Sequence, residues 1–293
     1  MELHNASRKH TKMKMALQGP SGSGKTRSAL LIAKGISPEW EYIAVIDTEN
    51  RSADLYADLG NYKVLPLQPP FTPERYIEAL NICIDAGMKV IIIDSISHEW
   101  DGLGGILECH ASMVGNSFTN WSKLTPRHNS FINAILLADV HIICTIRVKQ
   151  DYVLSEKAGK QVPEKVGLKS IQRDGIDYEF TIVFDLDNSL HAKVSKDRTE
   201  MFTHKPMFIP AVDTGVKIAA WCQKGHAFVQ SSQEEVRQSI LSCMTNEELL
   251  LLFNKHPDLQ EILLPDFTAR KQQLHTTHII EPQKNIANGT YTG

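Results

Sequence analysis

The 293-residue chain lacks what would build a covalently stapled or membrane-embedded protein. Its five cysteines, Cys83, Cys109, Cys144, Cys222 and Cys243, are odd in number and form no C-x-x-C pair, which argues against a disulfide framework and a zinc module. Reduced, partly buried thiols are expected. The longest apolar runs, residues 90–93 and 249–253, fall far short of the ~18–20 residues of a membrane span. No apolar stretch follows the charges of the opening MELHNASRKHTKMK, so no signal peptide and a cytoplasmic location are expected. Neither charge sign dominates: 31 basic and 34 acidic residues leave a net charge of −3, so a nucleic-acid partner requires positive charge that is localised. Repeats and low-complexity tracts are absent. What remains is 42% hydrophobic and 22% charged residues, ordinary for one large buried core with a small appendage.

Strand-like and helix-like segments alternate. Residues 13–18 read as a strand, followed by a glycine-rich loop and a helix over 25–34; residues 42–47 read as a second strand. Tyr76, Ile77, Leu80 and Ile84 give residues 73–86 a helical apolar face. Residues 89–94 form a continuous apolar strand of the kind buried on both faces of a parallel sheet. A helix over 127–138 and a buried strand over 140–146 follow. This order predicts an α/β fold with a mostly parallel central sheet flanked by helices. Residues 97–121 and 150–175 read as long loops, a length that in a compact domain is usually functional. Strands at 178–185 and 190–195, joined at Asp187-Asn188-Ser189, and a helix at 213–222 end the core. Beyond His226, helices are predicted at 233–242, 246–254 and 267–274, with Pro257 and Pro265 as breaks. The expected organisation is a flexible basic tail (1–12), a core (13–226), a helical C-terminal module (227–276) and a disordered tail (277–293).

Gly19-Pro20-Ser21-Gly22-Ser23-Gly24-Lys25-Thr26 matches G-x-x-x-x-G-K-[ST] between a predicted strand and a predicted helix. The glycines let successive N–H groups turn inward around phosphate oxygens, and the helix N-terminus adds partial positive charge. Lys25 is expected to reach the β/γ-phosphates and the Thr26 hydroxyl to ligate Mg²⁺. Asp94 ends the apolar strand at its carboxyl edge, where ligands bind in open α/β sheets, and is expected to hold the Mg²⁺ water shell. No N-K-x-D guanine-reading motif occurs, so ATP and Mg²⁺ are the expected cofactors. Glu49, taken to end a strand beside the phosphate-loop strand, is the candidate to orient the attacking water. Glu99, five residues beyond Asp94 and taken to lie in a long loop, is its rival.

Ile43-Ala44-Val45-Ile46-Asp47-Thr48-Glu49, continuing through residues 53–60, resembles the second strand and following segment of RecA-type recombinases. Ile91 to Ile96 resembles their Walker B strand, and Ile142 to Lys149 the strand before their second DNA-binding loop. These segments keep the family's order over roughly residues 13–226. Phage RecA-like ATPases of the Sak single-strand-annealing group are similar in further blocks: residues 94–102, 166–175, 178–180 and 194–199. The resemblance implies a RecA-like P-loop NTPase in which Glu49 activates water. It also implies that Lys196 and Arg198 reach into a neighbouring subunit's ATP, so that the protein self-associates as a ring or filament with ATP at the interface. Thr145 stands where RecA has a γ-phosphate-sensing glutamine, which puts RecA's coupling of ATP to DNA in doubt here; Arg147 and Lys149 are the candidate substitutes.

Residues 147–173 carry Arg147, Lys149, Lys157, Lys160, Lys165, Lys169 and Arg173 against Asp151, Glu156 and Glu164. A basic loop beside an ATP site suits phosphate-backbone contacts, and Tyr152 suits base stacking. Trp100, Phe118 and Trp121 are the aromatics of the other long segment. His98, His110, His128 and His141 lack ligand spacing and are expected to be packed or surface histidines. The expected function is an ATP-dependent, single-stranded-DNA-binding ATPase of phage-type recombination, annealing or replication, in the host bacterial cytoplasm if phage-encoded. A single-strand-binding protein is the expected partner of the C-terminal helices. The alternatives are a hexameric helicase or motor with the same core, a small-molecule kinase (though no Arg-rich lid is evident) and a non-hydrolysing ATP-binding adaptor of a DNA-processing complex.

Overall fold

The computed structural model describes residues 11–157, 160–223, 233–256 and 259–277. The chain divides into two compact units, Met1–Ala227 and Phe228–Gly293. Most of the expected N-terminal tail, the expected C-terminal tail beyond residue 277 and the expected break at Pro257 lie outside the described residues.

The first unit is built on β1 (Lys14–Gly19), β2 (Ile43–Asp47), β3 (Lys63–Pro66), β4 (Val90–Asp94), β5 (His141–Lys157), β6 (Lys160–Ser170), β7 (Ile182–Leu186) and β8 (Ala192–Asp197). The sheet order is β3-β2-β4-β5-β1-β7-β8, with β6 paired only to β5. The strands from β3 to β7 in that order run parallel, and β8 closes the edge antiparallel. Helices cover both faces. Ile91 and Ile93 of β4 pack into one core with Tyr76 and Leu80 of α2 (Pro73–Asp85) and with Phe131 and Ile135 of α5 (Ser117–Leu137). Val90 and Ile92 face the other core, with Leu30 and Ile32 of α1 (Lys25–Ile36) and Ile218 of α6 (Val212–Gln223). Burial on both faces is why these strands are continuous apolar runs rather than alternating ones. This is the α/β architecture of a P-loop NTPase.

Several expectations are corrected. The segment 97–121 is not a loop: it folds into α3 (Ser97–Asp101), α4 (Ile106–Ser112) and the first turn of α5. Gly102, Gly104, Gly105 and Gly115 separate these short helices and hide their periodicity. Nor does α5 begin after Pro126. It starts at Ser117, capped by the Asn116 side chain, which accepts the Phe118 N–H at 2.8 Å. The segment 150–175 is mainly an antiparallel hairpin of β5 and β6, with a bulge at Asp151/Tyr152. Its many charged residues made it read as a solvated loop. Strand β2 is not beside β1; β4 and β5 lie between them.

In the second unit, α7 (Gln233–Ser242), α8 (Asn246–Lys255) and α9 (Gln260–Thr277) enclose Val236, Ile240, Leu249, Leu263 and Phe267. The Thr245 hydroxyl accepts the Glu248 N–H at 3.2 Å and starts α8. Pro265, expected as a break, lies inside α9, because Leu263 and Phe267 on either side of it are both buried. Among the described residues, no helix is long and apolar enough to cross a membrane.

Helices α1 and α6 meet backbone to backbone. A Cβ on Gly35 would lie 2.0 Å from the Val212 carbonyl oxygen, and one on Gly215 2.0 Å from that of Ile32. Helix propensity favours alanine over glycine by about 1 kcal/mol, but overpacking of a tight core outweighs it. Gly35→Ala is expected to lower unfolding free energy by about 2 kcal/mol, read as a lower midpoint in urea at unchanged slope.

Candidate functional site

Strand β1 delivers the chain into the glycine-rich loop at Gly19, and α1 leaves it at Lys25. Gly22 and Gly24 have φ of 80° and 77°, the left-handed region that glycine enters without strain. Gly24 caps α1 without a side chain, and the first turn of α1 holds no acidic residue. The free N–H groups of that turn therefore face the pocket uncontested, as an anion site requires. Lys25 Nζ donates to the Gly19 and Pro20 carbonyls at 2.9 and 2.7 Å. Burial pushes its pKa below the usual lysine value, against the opposing pull of Asp94 and Glu49. Ser23 Oγ is buried without a hydrogen-bond partner inside the loop, a polar atom left for a ligand.

Asp94, 2% exposed, ends β4 across from this loop. Its carboxylate accepts from Thr26 Oγ1 at 2.6 Å and from Thr145 Oγ1 at 2.5 Å. Burial raises the carboxyl pKa, and the two threonine hydrogen bonds oppose the rise. The Thr26 hydroxyl and the Asp94 carboxylate are adjoining hard oxygen donors in the nucleotide pocket, the donor type that Mg²⁺ takes. Thr145 is fully buried with its hydroxyl spent on Asp94, and it does not line the pocket.

Glu49 lies two residues beyond β2. Asp47 shapes this turn: its carboxylate accepts the Glu49 N–H at 2.7 Å and the Ala53 N–H at 2.8 Å. Glu49 Oε1 accepts from Ser95 Oγ at 3.0 Å and lies 3.8 Å from Arg147 Nε and 3.9 Å from His98 Nε2. Arg147 has only donors, so its 3.0 Å contact to His98 Nε2 makes that nitrogen the acceptor. The His98 proton therefore sits on Nδ1 and is given to Thr48 Oγ1 at 2.8 Å. Burial depresses the His98 pKa, which fits a neutral ring. Thr48 Oγ1 also accepts the Ser95 N–H at 2.8 Å. Lys25, Thr26, Asp94, Glu49 and Arg147 line one cavity of about 380 Å³, with Tyr56, Leu190 and Ile209 among its other walls.

The remaining candidates lie elsewhere. Glu99 is neither in a loop nor in the pocket. It is 0% exposed on α3 and binds His128 Nδ1 at 3.0 Å, and it accepts from Gln172 Nε2 at 3.3 Å. It is a packed structural carboxylate, not a rival base. Lys196 belongs to β8 and donates to the Asp177 and Tyr178 carbonyls, while Arg198 follows the strand; neither lines its own chain's nucleotide pocket. Among the basic candidates, Arg147 belongs to the nucleotide pocket. Lys149, Lys169 and Arg173 line a separate groove at the root of the hairpin with Trp100 and Trp121. There Lys169 pairs with Asp174 at 2.9 Å. Trp121 stacks on Trp100 and on His110, with ring centroids 5.8 and 4.3 Å apart. Phe118 is exposed and outside that groove. Tyr152 and Lys165 face each other in the hairpin register, as do Lys157 and Lys160; their side chains lie outside the described residues. Sequence reasoning missed Asp47, Thr48, Ser95 and His98, although each is within four residues of Glu49 or Asp94. Among the described residues, no group of three or more His, Cys, Asp or Glu side chains is placed to hold a metal.

Glu99→Ala leaves His128 and Gln172 without their buried partner. It is expected to cost about 3 kcal/mol of unfolding free energy in urea while nucleotide affinity stays unchanged. A large loss of nucleotide affinity at unchanged stability would reverse the assignment.

A family model described as an AAA domain matches residues 11–211. No curated protein matches the chain.

Proposed function

The chain belongs to the AAA-domain family, whose model spans well over half of its length, and from that premise we propose that it is an ATP- and Mg²⁺-dependent ATPase acting on single-stranded DNA in phage-type recombination or annealing. Membership supports a nucleotide-binding P-loop ATPase. The observation that carries the catalytic part is the gathering of Lys25, Thr26, Asp94 and Glu49 around one cavity. Phosphoryl transfer to water needs held phosphates, a divalent cation and an oriented water. Residues 19–26 hold the phosphates in this reading. Thr26 and Asp94 hold the Mg²⁺, which when bound offsets phosphate charge. Glu49 accepts a hydrogen bond from the water.

The DNA part rests on the groove at the hairpin root. Lys149, Lys169 and Arg173 supply cations for a phosphate backbone, and the Trp100–Trp121 stack supplies an aromatic wall. Lys157, Lys160 and Lys165 continue the run of basic residues along the hairpin, and Tyr152 is proposed to stack on a base. Lys196 and Arg198 are proposed to act on a neighbouring copy's ATP in a ring or filament, a role supported by their standing outside their own pocket. The helices α7 to α9 are proposed to dock a single-strand-binding protein, and the Sak-type phage group remains the proposed branch. The proposed location is the cytoplasm of the bacterial host.

A non-hydrolysing adaptor is the second reading, favoured by one observation: Glu49 is already engaged by Ser95, with Arg147 and His98 within 3.9 Å. Steady-state ATP hydrolysis with and without single-stranded DNA separates the two. The ATPase reading expects turnover stimulated several-fold by DNA and lowered about 10²- to 10³-fold in Glu49→Gln. ATP binding without turnover in the wild-type chain supports the adaptor.

A further inference from the structure

On α5, His128 and Ile132 lie one turn apart, as do Asn129 and Asn133, so the four share one side of the helix. The chain that leaves β6 turns through Arg173 and Asp174 into a short 3₁₀ helix at Ile176–Tyr178 and supplies the facing wall. The two segments enclose a cavity of about 340 Å³, a size within the ~300–1,000 Å³ range of small-ligand sites. It shares no residue with the nucleotide pocket.

His128 gives this cavity its character. The side chain is 4% exposed. Nδ1 lies 3.0 and 3.1 Å from the two oxygens of Glu99, which is fully buried. Gln172 Nε2 donates to the same carboxylate at 3.3 Å and to the Ile96 carbonyl at 3.0 Å, so the carboxylate is itself held. A carboxylate accepts, so the ring proton sits on Nδ1 and Nε2 is left as an acceptor. Among the described residues Nε2 has no hydrogen-bond partner, and it is not sealed from solvent. A nearly buried acceptor, fixed in orientation and open toward a cavity, is available to a guest.

The cavity adjoins the groove at the hairpin root, because Arg173 and Asp174 line both. Trp100, a wall of that groove, meets the His128 ring at a steep angle, with centroids 5.4 Å apart. The lining suits a nucleobase edge better than a phosphate. The exposed carboxylates of Asp174 and Glu179 repel an anion. Ile132 and Ile176, both buried, offer apolar surface to a flat ring. Asn133 brings a donor and an acceptor, and Asn129 keeps its amide donors while its oxygen accepts from Arg173 Nη1 at 3.3 Å. With Nε2 and the two carboxylates, acceptors predominate. Cytosine and adenine present an amino donor where thymine presents a carbonyl oxygen.

We infer that this cavity takes one unpaired base of a single strand seated in the adjoining groove, and that the His128 acceptor favours the amino bases cytosine and adenine over thymine. This subsite presupposes the single-strand reading of that groove. The base must be unpaired, because pairing occupies the amino group that His128 reads.

The test is fluorescence anisotropy of end-labelled oligo-dC and oligo-dT of equal length with the full chain at one ionic strength, since phosphate contacts are salt-dependent and blind to the base. The wild type is expected to bind oligo-dC about fivefold more tightly than oligo-dT. In His128→Asn the amide N–H group stands in for Nδ1 on Glu99 and Nε2 is gone, so the ratio is expected to fall to within about twofold through weaker oligo-dC binding. Asn133→Leu fills the cavity from an exposed helix position and leaves the His128–Glu99 pair in place. It is expected to lower the ratio in the same way at an unchanged melting temperature, and it decides the matter if His128→Asn melts lower. Equal wild-type binding of the two oligomers overturns the base subsite and leaves the single-strand reading standing. A wild-type ratio retained in Asn133→Leu, or in folded His128→Asn, does the same. Binding of neither oligomer by the wild type overturns the single-strand reading itself.

Discussion

Asp94 is a carboxylate that the sheet buries almost completely, and a buried carboxylate must have donors. Its two donors come from opposite sides. Thr26 belongs to the first turn of α1, and Thr145 belongs to β5. The phosphate loop, the strand ending at Asp94 and the strand leading to the hairpin are therefore tied through one side chain. Desolvation favours the neutral acid, and the two threonine hydrogen bonds favour the anion. A divalent cation is the guest this arrangement suits, because it favours the anion more strongly than either hydroxyl does.

Above Asp94 lies a second network in which each member is oriented by the next. Arg147 fixes the acceptor nitrogen of His98, His98 gives its proton to Thr48, and Thr48 accepts from the Ser95 backbone. Ser95 Oγ in turn holds Glu49. The carboxyl ends of β2, β4 and β5 are thus cross-linked by polar side chains at the rim of the pocket. Gln18, one residue before the loop, donates to Asp185 at 2.6 Å and accepts from Ser170 Oγ at 2.7 Å, so the root of the hairpin is also attached to the phosphate-loop strand.

The parts of this fold that were legible are those whose sequence records a strong local constraint. Residues 90–94 read as a strand because both faces are buried and every side chain must be apolar until Asp94. The phosphate loop was legible because backbone N–H groups cannot converge on an anion without glycine at positions such as Gly22 and Gly24. By contrast, β3 is a short edge strand, Lys63-Val64-Leu65-Pro66, half-exposed and ended by proline, and it carries too few apolar residues to register. The hairpin of β5 and β6 carries many charged residues, which made it read as a loop. Strand order is not written locally at all, which is why β2 was placed next to β1 and Glu49 was brought to the pocket by the wrong route. Glu99 was misjudged for a related reason: its partners His128 and Gln172 are 29 and 73 residues away.

The distribution of cations limits what each can contribute to the proposed reaction. A group that binds substrate and transition state equally well lowers the free energy of both and does not accelerate the chemical step. Lys25, Arg27 and Arg147 stand in the pocket before any reaction begins, so holding the phosphates is the work their positions favour in the proposed reaction. Acceleration needs a cation whose contact strengthens as charge develops on the phosphoryl oxygens, typically worth about 10³–10⁵ in rate when it arrives as a finger. Lys196 has its ammonium on the Asp177 and Tyr178 carbonyls, and burial and Arg198 both press its pKa downward. That pressure falls if the pair meets phosphate. On these grounds the chain alone is equipped to hold ATP, and the proposed assembly with a neighbouring copy is the step that would make turnover fast.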